Sequence, residues 1–384
     1  MPEFTTLPPL ALYVHIPWCV RKCPYCDFNS HEADKTLPEQ QYIKALLEDL
    51  EQDLPQIWGR RLTSIFIGGG TPSLFSPESL DQLLSGIRAR MQCLPNMEIT
   101  LEANPGTFEQ AKFNEFRNTG INRLSIGIQS FEDQKLSALG RIHNKREAIK
   151  AVETAHYAGF DNFNLDLMFG LPDQTPKQGI ADLQTAIALE PTHLSWYQLT
   201  IEPNTFFYNK PPVLPNDEQI WQLQQQGQQL LAQQGYLQYE ISAYAKNKHQ
   251  CRHNLNYWQF GDYLGIGAGA HGKISRSDDH SITRYWKLRQ PAAYLNAEPD
   301  KKISGNEILS EQDRIFEFML NALRLKNGFD LELFEQHTGL NREQLKDGLL
   351  LAEEKNLLER NDNQVRPSEL GYRFLNDLIA YFES

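Results

Sequence analysis

The sequence predicts an α/β fold, a partial or complete TIM-like β/α barrel followed by a small winged-helix-like helical domain. Three observations predict it. From Leu12 to about Tyr244, short apolar runs alternate with amphipathic stretches, and repeated strand–helix units require parallel strands joined by helical crossovers. The residues with chemistry to offer recur at the C-terminal ends of those runs: Cys19, Gly68 to Thr71, Glu102, Gln129, Asp166 and Gln198. Barrel proteins gather their sites on that face because the βα loops converge there. Near residue 304 the pattern changes to short helices and one hairpin.

Each element follows from its residues. Leu12 to Ile16 reads as a first buried strand. Thr36-Leu-Pro-Glu39 has the form of a capping box, and Ile43, Leu46, Leu47, Leu50 and Leu54 make one helical face behind it. Ser64 to Ile67 is a second strand running into Gly68-Gly-Gly-Thr71, and Ser76-Pro77 opens the next helix. Glu98 to Glu102 is a third, ending in Asn104-Pro105-Gly106 ahead of another box, Thr107-x-x-Gln110. Arg123 to Gln129 and Asn162 to Met168 supply two more strands, and Thr175-x-x-Gln178 caps the helix carrying Leu183 and Ile187. His193 to Leu199 is the sixth strand. Leu223, Leu230 and Leu231 give the Gln-rich stretch from Asn216 to Gln234 a helical spacing, so it reads as helix and not as a low-complexity tract.

Residues 1–245 are thus expected to form the barrel core. Residues 246–303 are expected to close it, with His253-Asn-Leu-Asn-Tyr-Trp258 and a glycine-rich turn from Gly265 to Gly272. Those glycines imply a tight turn or a close approach. From Lys273 to Ser304 the chain is polar and poorly periodic and reads as linker or loop. In residues 304–384 a helix from Glu311 carries Ile315, Phe318, Met319 and Ala322 and stops at Gly328. Two shorter helices, a hairpin at Leu357 to Arg366 and a last helix from Ser368 follow, an order similar to a winged helix. This segment holds 9 Lys/Arg against 16 Asp/Glu, a net charge of −7, so its expected role is structural or interactive and not DNA binding.

Composition narrows the class. The whole chain carries a net charge of −12, which argues against a nucleic-acid partner, since that needs a basic footprint. No apolar run approaches the ~20 residues of a membrane span. The first residues include Glu3 and are broken by Pro8, Pro9 and Pro17, unlike a signal peptide. A cytoplasmic location is the expectation. Five cysteines, an odd number, do not suggest a disulfide framework there.

Three of the five stand together as Cys19-x3-Cys23-x2-Cys26. Thiolates are soft ligands suited to iron–sulfur clusters, zinc or copper(I). Three on one loop can hold three corners of a cubane and leave one iron open. Zinc in a closed structural site wants a fourth ligand; no nearby Cys supplies it, though His15 or His31 could. Elsewhere, Glu102 ends a strand in apolar company and needs a partner if ionised, Arg123 being the ordinary candidate. His253 is a neutral imidazole able to ligate heme iron or simply to bond a strand end. Tyr257 and Trp258 could stack on a porphyrin or pack in a core.

The Cys motif after a first strand, with Tyr25 just before the last Cys, resembles the radical S-adenosylmethionine superfamily. That resemblance implies a 4Fe–4S cluster on Cys19, Cys23 and Cys26, with S-adenosyl-L-methionine chelating the open iron and yielding a 5′-deoxyadenosyl radical. It also implies that Tyr13, Tyr25, Gly69, Gly70, Thr71, Glu102, Gln129, Arg141 and Asp166 surround the bound S-adenosylmethionine. Tyr13-x-His15-x-Pro17, Gly68-Gly-Gly-Thr-Pro72, Glu102-Ala-Asn-Pro105, Ser125-Ile-Gly-Ile-Gln-Ser-Phe131 and Asn164-Leu-Asp-Leu-Met-x-Gly-Leu-Pro172 narrow it to oxygen-independent coproporphyrinogen III dehydrogenase and its relatives. Two departures speak against porphyrinogen decarboxylation itself. Phe28 stands where the dehydrogenase has a further Cys, and 18 residues precede Cys19 where it has a longer segment. His253-Asn-x-x-Tyr-Trp258 is similar to the HemW-type branch of heme chaperones. That likeness implies heme, its delivery to acceptor proteins, and His253, Tyr257 and Trp258 as candidate heme contacts.

Overall fold

Six strands run in chain order, all parallel, across the centre of one sheet: β1 (Leu10–Ile16), β2 (Arg61–Gly69), β3 (Gln92–Ala103), β4 (Arg123–Gln129), β5 (Phe163–Phe169) and β6 (His193–Gln198). Leu12, Val14, Ile65, Ile67, Leu101, Leu124, Ile126, Leu165, Leu167 and Leu194 along them are all buried. Parallel strands covered on both faces need such near-continuous apolar runs. The computed structural model describes residues 4, 6–33, 36–106 and 111–383.

Past β6 the sheet continues through β8 (Ala243–Ala245), antiparallel to it, to β7 (Leu237–Gln238) at the edge. Past β1 comes β9 (Asp262–Ile266), parallel, then β10 (His271–Ser275), β11 (Ile282–Lys287) and β12 (Ile303–Ile308), antiparallel. β7 and β12 stay apart as the two ends of a twelve-strand sheet, so the barrel is partial.

The stretch from Lys273 to Ser304, expected to be a linker, therefore builds three strands of the sheet. Its polarity misleads because three of its lysines, Lys273, Lys287 and Lys302, are core residues. Lys273 pairs with buried Asp262 at 2.9 Å, and Lys287 pairs with Asp49 at 2.6 Å and Asp53 at 3.1 Å. All three lysines are 1% exposed, and Lys302 Nζ donates to Ala45 O at 2.8 Å. Buried ions are tolerated when paired, and Lys273 and Lys287 each meet an acid.

Helices α1 (Glu39–Asp53), α2 (Pro77–Arg90), α3 (Phe113–Asn118), α4 (Lys145–Tyr157), α5 (Pro176–Ala188) and α6 (Asp217–Gln233) return the chain between strands. The Thr175/Gln178 capping box forms, as do Asn144/Glu147 and Asn216/Gln219. The Thr36 box does not. Pro38 caps α1, and the Glu39 carboxylate instead accepts from Ser76 N and Oγ at 2.8 and 2.7 Å. That ties the start of α1 to the start of α2. The Thr107 box lies outside the described residues.

α7 (Arg252–Trp258) packs against β2. The C-terminal unit has its own apolar core: Phe318 on α8 (Glu311–Ala322) meets Phe329 and Phe334 edge-on. Phe260 and Ile282 extend that core into the closing segment. Phe329–Asp330, Gln364–Pro367 and Leu358–Asn361 form a three-stranded antiparallel wing beside it, as the winged-helix pattern requires.

Candidate functional site

The cysteine loop hangs from the tip of β1 and is clamped at both ends. Trp18–Cys19 pairs with His31–Glu32, while Gly70 N donates to Ile16 O at 2.8 Å and Thr71 N to Trp18 O at 2.7 Å. Within the loop Lys22 Nζ donates to Phe28 O and Ser30 O, both at 3.1 Å. Asn29 Nδ2 donates to Ala268 O and Arg289 O, both at 2.9 Å, which fastens the loop to the glycine-rich turn. Gly269, at φ +79°, must be glycine: a Cβ there would sit 2.2 Å from Asn29 Nδ2. The close approach expected of that turn is thus to the cysteine loop.

Cys19, Cys23 and Cys26 line one cavity of about 500 Å³, all three half-buried and free. Gly69, Gly70, Thr71, Glu102, Gln129, Arg141, Asp166, Tyr25 and Gln198 line it too. The strand tips therefore bring together every expected S-adenosylmethionine contact except Tyr13. Cys93 and Cys251 lie elsewhere; buried Cys251 donates to Glu98 Oε1 at 3.4 Å. Neither candidate zinc imidazole lines the thiol cavity. His15 bonds Tyr13 OH at 3.0 Å and Asn29 O at 2.9 Å, and His31 bonds Asn29 Oδ1 at 3.3 Å.

A polar chain crosses the cavity. Asn104 Nδ2 donates to Thr71 Oγ1 at 2.8 Å; Arg141 Nη2 donates to Asn104 Oδ1 and Gly127 O, both at 2.6 Å. Arg141 Nη1 points to Cys23 Sγ at 3.8 Å. Arg141 Nε is buried and has no partner among the described residues. Soft thiols with a guanidinium beside them fit an anionic, thiolate-bound cluster. Asn104 was not singled out in the sequence, although it stands inside the Glu102 to Pro105 motif that carries the site.

Gln129 ends β4 at φ +70°, beside a register shift between Gly127 and Gln129, and its Oε1 accepts from Tyr197 OH at 2.9 Å. Left-handed backbone is costly for a residue with a side chain and collects at functional sites. Asp166 accepts from Asn164 Nδ2 at 2.8 Å and Ser125 Oγ at 3.1 Å. Tyr25 packs against an apolar cluster with Met168 and Phe207.

Glu102 forms no ion pair with Arg123. It accepts one bond, from Gly69 N at 3.0 Å, and no ion pair among the described residues includes it. Burial first, and then Asp166, push its carboxyl up to about 8. At neutral pH it is therefore mostly an uncharged acid, ready to ionise when a cation arrives. Gly69, at φ +119°, turns so tightly under His15 that a Cβ would lie 2.7 Å from the imidazole. Replacing it by Val disturbs the chain itself, so that exchange does not isolate ligand contact.

A second cavity of about 830 Å³ adjoins the first, and Gly69, Glu102 and Phe28 line both. Tyr13, His15, Tyr257, Tyr263, His271, Trp286 and Arg289 also line it. His271 stacks on Trp286 with ring centroids 6.3 Å apart. The three candidate heme contacts do not converge here. His253 is buried, with Nδ1 bonded to Ser64 Oγ at 2.9 Å and Nε2 to Tyr257 OH at 3.1 Å. Burial and then Arg123 push its imidazole down to about 3, so it is neutral and already engaged at both nitrogens. Trp258 packs under the Arg324 guanidinium, 4.3 Å from its centroid. Of the three, Tyr257 alone reaches the cavity. Trp286 and Arg289 were not singled out in the sequence, because the stretch that carries them looked like a linker.

Parallel strands whose tips carry a three-cysteine loop over a polar cavity define a protein of the radical S-adenosylmethionine class. The Radical SAM superfamily model matches residues 13–185, and the HemN C-terminal domain model matches residues 309–374. The chain is 51% identical to heme chaperone HemW of Haemophilus influenzae and 48% identical to that of Escherichia coli, covering 98% of this chain and 98% of each relative. Identity to heme chaperone HemW of Bacillus subtilis is 33%, over 97% of this chain and 98% of the relative. The chain belongs to this HemW family within the radical S-adenosylmethionine superfamily. Its fold is similar to that of Escherichia coli coproporphyrinogen III oxidase (HemN), a radical SAM enzyme, with a TM-score of 0.83 and 23% identity over 100% of this chain and 91% of that one.

Proposed function

We propose that this protein binds heme in the aromatic cavity and passes it to acceptor proteins, beside a 4Fe–4S cluster and S-adenosylmethionine held in the polar cavity. One observation carries the reading: a cavity of about 830 Å³ with Tyr, Trp and His side chains shares a wall with the thiol cavity. Its volume lies in the range of small-molecule sites, roughly 300–1,000 Å³, and Arg289 on its wall offers a fork to a heme carboxylate.

Cys19, Cys23 and Cys26 would hold the cluster, which with S-adenosylmethionine supplies one-electron radical chemistry when bound. Arg141 orients Cys23 through Nη1. Glu102 gives its proton away to meet a cation, and Asp166 waits behind it, held by Ser125 and Asn164. Thr71, Gly70 and Gln129 set the polar wall, and Tyr25 shields it. Tyr13 joins this set from the adjoining cavity. Residues 1–245 would act as the core, 246–303 as the closing segment and 304–384 as the interaction domain. The location we favour is the cytoplasm, where thiols stay reduced. No helix among the described residues is long and apolar enough to cross a membrane.

Anaerobic purification with added heme, followed by absorption spectroscopy, tests the reading. One heme per chain, transferred on mixing to an apo heme protein, is the expected result. Coproporphyrinogen III decarboxylation at an enzyme's rate under the same reducing conditions would replace it with the oxidase reading. Phe28, in place of the additional thiol, argues against that outcome.

A further inference from the structure

Among the described residues that line the aromatic cavity, Arg289 is the one lysine or arginine. Its carbonyl accepts from Asn29 Nδ2 at 2.9 Å, but its guanidinium has no hydrogen bond or ion pair among the described residues. Phe28, His271 and Arg289 are the exposed members of the wall and form the mouth. Tyr13, His15, Glu102, Tyr257 and Tyr263 are buried or half-buried and form the floor. Gly69 and Glu102, on the floor side, also line the thiol cavity, whereas Arg21 and Arg141 line the thiol cavity and not the aromatic one. The mouth thus holds the cation, and the floor holds rings, hydroxyls and an acid.

We infer that this cavity takes a tetrapyrrole with its carboxylate edge outward on Arg289, and so selects a porphyrin that is acidic along one edge only. The inference rests on the heme reading above and adds to it an orientation and a selectivity. Heme carries its two propionates on adjacent rings, so one edge is acidic and the opposite edge apolar. A guanidinium presents five N–H donors in a planar fork, enough for two carboxylates.

A carboxylate turned toward the floor would lose its water and find no cation in exchange, which is costly. The floor hydroxyls are already engaged. Tyr13 OH meets His15 Nδ1 at 3.0 Å, Tyr257 OH meets His253 Nε2 at 3.1 Å, and Tyr263 OH accepts from Arg284 Nη1 at 2.5 Å. Arg284, behind Tyr263, is itself paired with Glu317. The apolar edge of heme therefore lies against Gly69 and Glu102, on the side shared with the thiol cavity. A porphyrin with a carboxylate on all four rings must bury two of them there, unpaired, and the missing partners discriminate against it. The same orientation keeps the propionates away from the thiol cavity, where a decarboxylating enzyme would need them.

The test titrates the full chain with ferric heme, heme dimethyl ester and iron coproporphyrin III, all in the same detergent, and reads absorption. Wild type should bind heme about tenfold more tightly than the ester, as for loss of a charge-assisted hydrogen bond, and at least as far ahead of iron coproporphyrin III. Arg289→Ala should bind heme about tenfold more weakly and no longer distinguish it from the ester. Arg289→Lys should recover part of the preference, since an ammonium keeps the charge without the fork. Arg61→Ala, at an exposed arginine outside both cavities, should change nothing, which separates local contact from net charge. The propionate bending band of bound heme in resonance Raman should move in Arg289→Ala, while melting temperature stays, because no bond from that guanidinium holds the fold. Equal affinity of wild type for heme and its ester overturns the orientation without recourse to any variant. An Arg289→Ala chain that keeps the preference overturns it too, and iron coproporphyrin III bound as tightly as heme overturns the selectivity. Wild-type chain that takes up no heme overturns both this inference and the heme reading beneath it.

Discussion

Exchanging Glu102 for Gln probes the electrostatics of the polar cavity with little change in shape. The wild-type carboxyl, ordinarily at 4.5, is pushed up to about 8 by burial and by Asp166. Between those two values the folded chain holds a proton that the unfolded chain has released. Stability from this group is therefore fully present below about pH 4.5 and lost as pH rises through 8. At about 1.4 kcal/mol per tenfold change in ionisation the loss has an upper bound of about 5 kcal/mol; partial access to solvent brings it to about 2–3 kcal/mol. Gln stays neutral, and its carbonyl can still accept from Gly69 N. Urea unfolding of cluster-free chains should give wild type and Glu102→Gln similar stabilities near pH 5, with the variant ahead by about 2–3 kcal/mol near pH 8.5. The variant should also bind S-adenosylmethionine about ten- to a hundredfold more weakly at neutral pH, since it offers a cation no charge. A stability gap that stays constant between the two pH values would show that Glu102 is ionised in the empty protein, and the argument from burial would fail.

Three further outcomes follow from the same geometry. Cys19→Ala, Cys23→Ala or Cys26→Ala should each lose most of about four irons per chain after anaerobic reconstitution, while Cys93→Ala keeps them; one zinc without sulfide would contradict this. Gln129→Val should destabilise the chain by about 1–3 kcal/mol through its left-handed backbone, with Gln129→Gly relieving most of that cost, as read by thermal unfolding. Lys287→Met should cost about 3–5 kcal/mol because it leaves Asp49 and Asp53 buried beside each other without their cation; an unchanged urea midpoint would mean that water reaches them.

What could be read in the sequence and what could not divides along one physical line. The central strands were legible because a strand buried on both faces leaves an apolar run, and the site was legible because its ligands stand where those runs end. Cys19, Glu102 and Gln129 needed no structure to be placed on one face. Antiparallel strands at the sheet's edge carry no such mark. Lys273 and Lys287 look like surface residues until Asp262, Asp49 and Asp53, which stand up to 238 positions away, are seen to meet them. Pairing of that kind is a long-range fact that no local period reports. Thr36 and Glu39 show the converse, a correct local pattern overruled by Ser76, which offers the Glu39 carboxylate two donors.

The same division explains why spacing alone left His253 open between a heme ligand and a hydrogen bond to a strand. A histidine and two aromatic residues within six positions suggest one heme-facing surface, but a seven-residue helix, Arg252–Trp258, distributes them around its axis. His253 faces Ser64 on β2, Trp258 faces Arg324 of the C-terminal unit, and Tyr257 reaches the cavity. Spacing of four places His253 and Tyr257 on one face in contact with each other, so only one of them can be outermost. The glycine-rich turn from Gly265 to Gly272, through Asn29, holds the cysteine loop in place, and Phe28 on that loop lines both cavities together with Gly69 and Glu102. Anything that reshapes the loop when a cluster is bound must therefore move the wall of the aromatic cavity as well. Under the proposed function, coupling between cluster state and heme affinity would follow from that shared wall, and comparing heme release from the same chain with and without its iron tests it.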